Sequence, residues 1–490
     1  MFRQFQSNGG APLLDRSEGP PMAFHEFYRD DFRPREHYLP MWEHLQRVGQ
    51  KGLANKARDA QLALHNEGVT FTLYSDEGKG IERVWPVDIL PRIITAQEWH
   101  PIEAGLKQRV RALNLFLKDL YHGQHILKDG VVPPELIYRG KDLCREIMDV
   151  DPPGDIYIHI SGADLIRDEE GRYLVLEDNL RTPSGVSYMI ENRVIERRIL
   201  PELFSSYHVR RVEHYPDLLL QSLRDLSPRG PEEAVVVVLT PGIFNAAHFE
   251  HSFLAREMGV ELAEGRDLVC KNDKVYLKTT LGLRQVDVVY RRIDDEYLDP
   301  LVFRSDSVLG AAGLINAWRA GHVALVNAPG TGVADDKAVY AYVPDIIRYY
   351  LGEAPILQSV PTYQMTDHQD RTYVLDNMEK MVVKAVAESG GKGMLMGPNS
   401  TAAQRDKFAK KIVEDPRHYI AQPVVQLSRH ICYLDGELES RHLDLRPFCI
   451  YGSDIEVVPG GLTRVAVTRG SLVVNSSQGG GSKDTWVLAD

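Results

Sequence analysis

The chain has 490 residues, 43% of them hydrophobic, and a formal net charge of −12 from 57 basic and 69 acidic residues. Chains of this length usually fold as about three domains, and the composition provides enough apolar residues for their cores. Because no long basic run is interleaved with aromatic residues, a nucleic-acid partner is not expected, and any phosphate site must be local.

Cysteine spacing and the N-terminal residues indicate the compartment. The first ten residues contain no apolar segment of the secretory type. No run approaches the ~18 apolar residues of a membrane span. Free thiols in a reducing compartment are indicated by four cysteines without Cys-x-x-Cys spacing: Cys144, Cys270, Cys432 and Cys449. The sequence therefore predicts a cytoplasmic protein without membrane contact, and it leaves the oligomeric state open.

The N-terminal region is predicted to supply packing elements. A polar arm and a helix extend to about Leu64, and the alternation over Gly68–Tyr74 predicts a strand. A long helix is predicted from Pro101, because proline suits the first helical turn. Its core face is indicated by apolar residues at spacings of three and four: Ile102, Leu106, Val110, Leu113, Leu117 and Leu120.

Polar side chains follow a short apolar run at Tyr173–Leu176, which predicts a buried strand. Alternate residues of a strand share a face, so Glu177 and Asn179 point the same way. Asp164 lies thirteen residues before Glu177, at the end of another apolar segment, and the two segments are spaced to form a hairpin. Carboxylate and amide oxygens together suit Mg²⁺. The sequence therefore predicts a magnesium site with Asp164, Glu177 and Asn179 as ligands.

The residues after this strand are candidates for anion contacts. Arg181 and the turn that contains Ser184 follow within a few positions of Asn179. The alternative interpretation is a solvated strand end, because Glu-x-Asn is a short and common pattern. A helical segment over Ser187–Leu223 then ends in the Pro/Gly-rich break Ser227–Pro231, where a domain boundary is predicted.

A three-layer α/β domain of about one hundred residues is predicted after this boundary. Its first strand, Glu233–Thr240, is continuously apolar, as in a parallel sheet that is covered on both faces. The other predicted elements are a helix over Glu250–Met258, a strand near Glu261, a hairpin turn at Asn272 and Asp273, the strand Val286–Tyr290, a helix over Ser307–Ala320 and the strand His322–Val326. Arg291 and Arg292 follow one of these strands, where open α/β sheets bind ligands. A surface salt-bridge cluster is the alternative.

The last third of the chain contains a lysine followed by a glycine-rich segment. Lys384 ends a predicted strand, and Gly390, Gly391, Lys392 and Gly393 follow it. Glycines let backbone N–H groups approach a polyphosphate, and lysine adds a positive charge. The spacing matches neither the Gly-x-x-x-x-Gly-Lys-Ser/Thr loop nor the Gly-x-Gly-x-x-Gly fingerprint. A simple hairpin loop is the alternative interpretation.

Two later segments extend the hypothesis of a nucleotide site. The strand that contains Gln422 is stopped by Pro423 and is predicted to present backbone groups to an adenine edge. Near the end of the chain, the Ser/Gly-rich run over Gln478–Asp484 is flanked by apolar and aromatic residues. The flanks favour a loop held close to the sheet, with a flexible tail as the alternative.

In these motifs the sequence resembles the circularly permuted ATP-grasp proteins of the type 2 group, which are related to glutathionylspermidine synthetase. The resemblance extends over nearly the whole chain. In that relative an aspartate and a later Glu-x-Asn bind Mg²⁺, and these match Asp164, Glu177 and Asn179. Its two ATP lysines match Lys337 and Lys384. The metal ligands precede the lysines, whereas the order is reversed in ordinary ATP-grasp enzymes.

The resemblance implies an α/β fold of the circularly permuted ATP-grasp type, with a pre-ATP-grasp-like three-layer domain. The implied segments are 1–230, 231–345 and 346–490. It also implies an ATP- and Mg²⁺-dependent ligase that joins a small-molecule or peptide carboxylate to an amine through an acyl phosphate. The implied roles are catalysis for Arg181, Arg292 and Arg464, ATP binding for Lys337, Lys384, Gly390, Gly391, Lys392, Gly393 and Gln422, and substrate contacts for Ser184, Arg291 and Lys483.

The chain departs from the pattern of the relative at two positions. Gly162 and Ala163 precede Asp164 where the relative has Arg-x-Asp, and Ala385 follows the ATP lysine in place of proline. The absence of that arginine supports a second hypothesis, a nucleotide-sensing protein without ligase activity. A third hypothesis is a phosphotransferase whose phosphorylated substrate is the final product.

Overall fold

The computed structural model describes residues 23–74, 80–386, 393–474 and 480–490. Helices and strands are mixed throughout these ranges, which confirms the predicted α/β class. The α-helices in these ranges are Leu39–Asn66, Ala96–Leu120, His125–Lys128, Pro134–Tyr138, Val186–Ile199, Pro201–Ser205, Tyr215–Arg224, His248–Met258, Leu314–Arg319, Gly332–Asp335, Lys337–Tyr340, Val343–Leu351, His368–Asp376 and Ala402–Glu414.

A capping box sets the start of the long helix Ala96–Leu120. The Thr95 hydroxyl accepts a hydrogen bond from the Glu98 backbone N–H, and the Glu98 carboxylate accepts one from the Thr95 backbone N–H. Pro101 therefore lies inside the helix, and the predicted start at Pro101 was wrong. The predicted apolar face is confirmed, because the face that carries Ile102 and Leu106 is buried.

The central sheet has five strands that come from distant parts of the chain. Its order is Gln358–Ser359, Tyr173–Asn179, Ile160–Arg167, Phe448–Tyr451 and Ile455–Val457. Ile160–Arg167 and Tyr173–Asn179 form the predicted antiparallel hairpin. The sheet joins strands from the first and third predicted segments, and the boundaries at residues 230 and 345 stay a prediction.

The predicted three-layer domain is built on a parallel sheet with the order Ala324–Val326, Val288–Arg291, Val236–Leu239 and Glu261–Ala263. Val237 and Val289 pack in the same core cluster as the helix Leu314–Arg319. Val236 and Val288 pack in a second cluster with the helix His248–Met258. Both faces are therefore covered, which explains the continuously apolar strands.

One predicted hairpin turn in and around this region is confirmed, and two predicted helices have different bounds. The hairpin turn at Asn272 and Asp273 is confirmed, and both residues have positive φ angles of 54° and 57°. The helix predicted over Ser307–Ala320 is shorter, because it begins only after Gly313, which has a φ of 88°. The segment predicted as one helix from Ser187 to Leu223 is interrupted twice, at Leu200 and between Ser205 and Tyr215.

A smaller antiparallel sheet forms a separate lobe, called the lid lobe here. Its strands, in order, are Tyr363–Gln364, Tyr419–Pro423, Met381–Ala385 and Leu395–Met396. The helices His368–Asp376 and Ala402–Glu414 pack on it. The lobe has its own hydrophobic cluster, which includes Met365, Val383 and Ile412.

The remaining strands form one three-stranded sheet and four pairs. The three-stranded sheet is Gly282–Val286, Lys274–Thr279 and Leu268–Lys271. The pairs are Thr70–Tyr74 with Gly80–Val84, Arg429–Leu434 with Glu437–His442, Thr463–Val465 with Gly481–Lys483, and Thr485–Val487 with Arg92–Ile94.

The segment from residue 480 onward is part of the core. Thr485–Val487 pairs in parallel with Arg92–Ile94, and Trp486 is fully buried. The flexible-tail interpretation is therefore wrong for residues 480–487, while Gln478 and Gly479 lie outside the described residues. All four cysteines are free, as the sequence predicts. Across the described ranges, no helix combines the length and apolarity needed to cross a membrane.

Candidate active site

A cavity of about 750 Å³ lies between the central sheet and the lid lobe. This volume is within the ~300–1,000 Å³ of typical ligand sites. Residues from the hairpin, the turn that follows it and the lid lobe line the same cavity. The predicted site residues among them are Asp164, Glu177, Asn179, Arg181, Ser184, Lys337, Lys384, Gln422 and Arg464.

The hairpin places the three candidate metal ligands on one face. Asp164 pairs with Glu177, and Gly162 pairs with Asn179, so the side chains of these residues alternate toward the cavity. The register shifts just after Asp164, which marks a β-bulge next to the site. Asp178 points to the other face and forms a buried ion pair with Arg109 at 2.7 Å. That pair anchors the strand without contributing to the cavity.

Two arginines hold the Asp164 carboxylate. Arg446 Nε lies 2.5 Å from Asp164 Oδ1 and Arg446 Nη2 lies 2.9 Å from Oδ2, while Arg464 Nη2 lies 2.6 Å from Oδ2. Burial opposes ionisation of Asp164, but the two guanidinium groups outweigh it and hold the pKa well below its usual range. Asp164 is therefore a carboxylate at neutral pH.

Arg446 is a cavity residue that the sequence analysis did not select. It lies 282 residues after Asp164, on a segment that joins two strands, so no local motif connects the two. Its side chain lies against Gly162, where an added Cβ would be 3.4 Å from Arg446 Cδ and 3.2 Å from Pro183 Cβ. Gly162 thus leaves room for an arginine beside Asp164 that comes from another part of the chain.

Arg464 joins a second carboxylate to this cluster. Its Nε lies 3.0 Å from both carboxylate oxygens of Asp444, which also lines the cavity. Burial raises the pKa of Asp444 although Arg464 opposes the shift. Together Asp164, Asp444, Arg446 and Arg464 form the arginine cluster, in which two acidic and two basic side chains balance in charge.

Lys384 lies near the end of a lid strand, and two successive side-chain hydrogen bonds hold its amine in place. Its Nζ donates to Gln422 Oε1 at 2.7 Å, and Gln422 Nε2 donates to Thr362 Oγ1 at 2.9 Å. Burial lowers the pKa of Lys384, and the positive charge of Lys337 adds to the effect, while Glu177 opposes it. The two lysines and the candidate metal ligands are therefore close enough to interact electrostatically.

The glycine-rich segment is described only at its end. Gly390, Gly391 and Lys392 lie outside the described residues. Gly393 has a φ of 64°, and its carbonyl accepts a hydrogen bond from the Ala385 backbone N–H at 3.2 Å. The positive φ at this position favours glycine. The segment thus returns to the strand next to Lys384.

Asp335, another cavity residue that the sequence analysis did not select, lies two residues before Lys337. Arg181 Nε lies 2.8 Å from Asp335 Oδ2, and the Leu180 backbone N–H donates to Oδ1 of the same carboxylate. Burial raises the pKa of Asp335 to about 6, although Arg181 opposes the shift. This contact joins the turn after the hairpin to the segment that carries Lys337.

Arg292 supports the turn at Ser184 from behind. It donates to the Pro183 carbonyl and to Ser184 Oγ, both at 2.8 Å, and pairs with Glu250 at 3.0 Å. Glu250 in turn accepts a hydrogen bond from the Gly185 backbone N–H at 2.7 Å. Arg292 is fully buried and does not line the cavity. Its contacts position Ser184, which does.

Arg291 and Lys483 lie away from the cavity lining. Arg291 Nε donates to the Asn327 carbonyl at 2.7 Å, and its guanidinium pairs with Asp295 at 2.6 Å. Lys483 pairs with Asp88 at 2.8 Å in the core. Both side chains are fully buried, and these contacts hold neighbouring segments together. The structure therefore gives no direct contact between either residue and the candidate site.

The end of the cavity near the lid lobe is apolar. Its walls are formed by aliphatic and methionine side chains of the central sheet, the lid lobe and nearby loops: Ile166, Leu176, Val382, Met394, Met396, Val424, Leu427 and Leu472. Within the described residues, no group of three or more His, Cys, Asp or Glu side chains is arranged to hold a metal. The predicted metal site differs from such a group because it combines two carboxylates with one amide.

These features define a circularly permuted ATP-grasp protein. The family model "Circularly permuted ATP-grasp type 2" matches residues 91–466, and the chain belongs to this family. It is 51% identical to an uncharacterized protein of Synechocystis sp. over 96% of this chain and 98% of the relative.

Two more distant similarities extend the comparison. The chain is 41% identical to a putative glutamate–cysteine ligase of Frankia alni, and the match covers 97% of this chain but 54% of the Frankia protein. The solved structure of a glutathione synthetase-like effector from Globodera pallida, in its apo form, is similar in fold. It has a TM-score of 0.57 at 12% identity and covers 90% of this chain and 98% of the effector.

Proposed function

We propose that the protein is an ATP- and Mg²⁺-dependent ligase that joins a carboxylate to an amine, with ADP and phosphate as products. The observation that carries the proposal is the convergence on one cavity of Lys337, Lys384 and the hairpin face with Asp164, Glu177 and Asn179. These residues come from segments that are far apart in the chain, and all of them lie within the residues 91–466 that the family model matches.

The hairpin residues fit a magnesium ion by their chemistry. Mg²⁺ is usually bound by one or two carboxylates together with water and substrate phosphate oxygens. Glu177 and Asn179 are half-buried on the cavity wall, and the Asp164 carboxylate stays ionised. A carboxylate has about four lone-pair sites. Arg446 and Arg464 occupy three of them on Asp164, and the Asn179 amide donates to the carboxylate at a long 3.5 Å, a contact that Mg²⁺ would replace. Mg²⁺, when bound, would neutralise charge on the transferred phosphoryl group.

The nucleotide is assigned to the lid side of the cavity. The apolar walls there suit an adenine ring, and Gln422, which lines the same cavity, is proposed to contact its edge through its backbone. Lys384 and Lys337 supply positive charge toward the phosphates. Binding of an anionic phosphate would replace the Gln422 oxygen as the acceptor of Lys384, and it would favour the charged form of this buried amine.

The reaction proposed for this arrangement has two displacements. An oxygen of the substrate carboxylate attacks the γ-phosphorus, the bond to the β-phosphate oxygen breaks, and ADP leaves. The amine nitrogen then attacks the acyl carbon, phosphate leaves with the bonding electrons, and the nitrogen loses a proton. Arg181, Arg446 and Arg464 line the cavity and are proposed to stabilise the negative charge that builds up on phosphoryl and acyl oxygens.

Arg446 bears on the sensor hypothesis. The only sequence argument for a non-catalytic protein was the absence of arginine two positions before Asp164. Arg446 supplies a guanidinium to the same carboxylate with two hydrogen bonds. The departure from Arg-x-Asp therefore no longer favours a sensor.

Product analysis tests the proposal. The protein would be incubated with ATP, Mg²⁺ and pooled carboxylic acids, with hydroxylamine as the amine. A ligase that forms an acyl phosphate releases a hydroxamate in step with ADP, because hydroxylamine is a small and strong nucleophile. ADP without hydroxamate would indicate a phosphotransferase, and no product would indicate a sensor. AMP and pyrophosphate as stoichiometric products would contradict the assignment.

A further inference from the structure

Four aromatic residues that line the cavity lie outside the lid lobe and are called the aromatic wall here: Phe71, Trp85, Tyr188 and Phe244. The aromatic wall belongs to the same cavity as the arginine cluster and the hairpin face. No part of the nucleotide hypothesis uses it, because the apolar adenine walls lie on the lid side. An aromatic surface inside a ligand cavity indicates an apolar group on the ligand.

Two rings of the aromatic wall are fixed in place. Trp85 and Tyr188 stack with their centroids 3.7 Å apart and their planes at 15°. Trp85 Nε1 donates to Ser482 Oγ at 2.6 Å, and Tyr188 Oη donates to the Thr70 carbonyl at 2.8 Å. Trp85 and Tyr188 are each only 2% exposed, so a small part of each ring faces the cavity. Because the protein itself satisfies both polar groups, that part is hydrocarbon surface.

The fourth ring stands at the mouth of the cavity. Phe244 is 84% exposed, and its neighbour Ile243 is 69% exposed. Both belong to the segment between the strand Val236–Leu239 and the helix His248–Met258, whose residues 244–247 line the cavity. Large apolar side chains exposed at the rim of a site often mark a binding surface.

The aromatic wall and the arginine cluster are joined by one short segment. Arg446 Nη1 donates to the Ser184 carbonyl at 3.1 Å, and Tyr188 follows Ser184 by four residues, within the first turn of the helix Val186–Ile199. A ligand carboxylate near Arg446 therefore has the aromatic wall within reach of its side chain. Asp164 and Asp444 are already neutralised by Arg446 and Arg464, which disfavours a polycationic ligand here.

We propose that the aromatic wall binds the side chain of the carboxylate substrate, and that this substrate is an amino acid or short peptide with an aromatic side chain. The inference rests on the ligase proposal, because it names the substrate class of the same cavity. A side chain that is polar throughout, such as that of glutamate, would leave Phe244 exposed and would gain no apolar contact from Trp85 and Tyr188.

The experiment compares matched acids in the hydroxylamine assay. Phenylalanine, leucine, alanine and glutamate, and their N-acylated dipeptides with glycine at the first position, would be offered with ATP and Mg²⁺. We expect the highest kcat/KM for the phenylalanine compounds, because even one methylene group more or fewer in an apolar pocket changes kcat/KM by about 10- to 200-fold. Equal or higher values for the glutamate compounds would overturn the inference and leave the ligase proposal intact. Hydroxamate from other acids of the pool but from none of these would overturn the inference alone, and hydroxamate from no acid of the pool would contradict both proposals.

A variant at the cavity mouth separates the aromatic wall from the catalytic machinery. In Phe244→Ala we expect KM for the phenylalanine compound to rise about tenfold, with little change in KM for ATP. The matched control is Leu281→Ala, since Leu281 is 99% exposed at a hairpin turn and does not line the cavity. Tyr188→Phe keeps the ring and should retain the preference for the aromatic acid. An unchanged KM in Phe244→Ala, with phenylalanine still preferred, would exclude Phe244 and overturn the inference as stated.

Discussion

Arg446 depends on Gly162, because the arginine side chain passes close to the glycine on its way to Asp164. The arginine reaches the Asp164 carboxylate past Gly162, where an added Cβ would lie only 3.4 Å from Arg446 Cδ and 3.2 Å from Pro183 Cβ, so a larger residue would force these groups to shift. Its planar guanidinium makes two parallel contacts with the carboxylate, a geometry that lysine does not reproduce. Arg446→Lys would therefore keep the positive charge but lose the paired hydrogen bonds to Asp164.

Loss of Arg446 should make the protein sensitive to acid. The pKa of Asp164 is depressed in the folded state, so its ionisation contributes stability that is present above the unfolded pKa and is lost as pH falls through the folded pKa. In Arg446→Met only Arg464 remains, the folded pKa rises, and the loss of activity and of thermal stability should begin at a higher pH. Melting curves and activity between pH 4 and 8 test this.

The control for this prediction is Arg348→Met, because Arg348 forms an exposed ion pair with Asp345 and lies far from the cavity lining. Such pairs contribute little stability, so its pH profile should match that of the unmodified protein. An Arg446→Met profile that also matches would show that Asp164 does not depend on this arginine.

Glu177→Gln tests the metal assignment. The change keeps the shape of the side chain and removes its charge, so the fold should stay intact while ADP formation falls by about a hundredfold or more. The melting temperature and a Mg²⁺ titration of activity would be measured together. Glu437→Gln, an exposed residue of another strand, is the control. Wild-type turnover in Glu177→Gln would make the metal assignment wrong.

At the scale of elements, the lid strand Met381–Ala385 carries Lys384, one of the two lysines proposed to bind the phosphates of ATP. Lys384→Met should weaken ATP binding roughly ten- to hundredfold, since a charge-assisted contact contributes about 1.5–3 kcal/mol. Isothermal titration with a non-hydrolysable ATP analogue measures this. Lys407→Met, on the exposed side of the helix Ala402–Glu414, should bind like the unmodified protein. Equal affinity for the two variants would remove Lys384 from the phosphate site.

The elements that could be predicted are those with a local signal. The hairpin Ile160–Arg167 with Tyr173–Asn179 was predictable, because its turn and its alternation lie within twenty residues. The parallel strands were predictable from their continuous apolar runs. The start of the helix Ala96–Leu120 was missed because Pro101 was preferred over the Thr95 and Glu98 capping box, which is the stronger signal.

The residues that could not be predicted are brought to the site by long-range packing. Arg446 contacts Asp164 across 282 residues, and the aromatic wall combines the strand Thr70–Tyr74, Trp85, the helix Val186–Ile199 and the segment at Phe244. No spacing in the sequence connects these positions. Conversely, Arg291 and Lys483 have the residue types of a site, but both side chains are fully buried and pair with Asp295 and Asp88 away from the cavity.

At the scale of the whole molecule, the segment over residues 480–490 should be required for folding itself. It contributes fully buried Trp486 and the ion pair between Lys483 and Asp88. Replacing a buried tryptophan by alanine costs about 3–5 kcal/mol, so Trp486→Ala should lower the melting temperature strongly, and deletion of 480–490 should give unfolded or aggregated protein. Solubility and circular dichroism measure both.

Removal of Asp490 alone is the matched control, because this residue is exposed and forms only an exposed contact with His100 at 3.7 Å. That variant should melt like the unmodified protein. A deletion of 480–490 that stays folded but inactive would show instead that the segment serves the site without supporting the core.

The pairing of Thr485–Val487 with Arg92–Ile94 can form only after the ribosome has made almost the whole chain. Trp85 and its partner Ser482 are 397 positions apart. At about 5–20 residues per second, a ribosome needs roughly 20 to 80 s to cover that interval. Throughout this time the strand Arg92–Ile94 lacks the neighbour that covers it. We therefore expect this strand edge of the nascent chain to stay open to other pairing partners until residues 485–487 have been made.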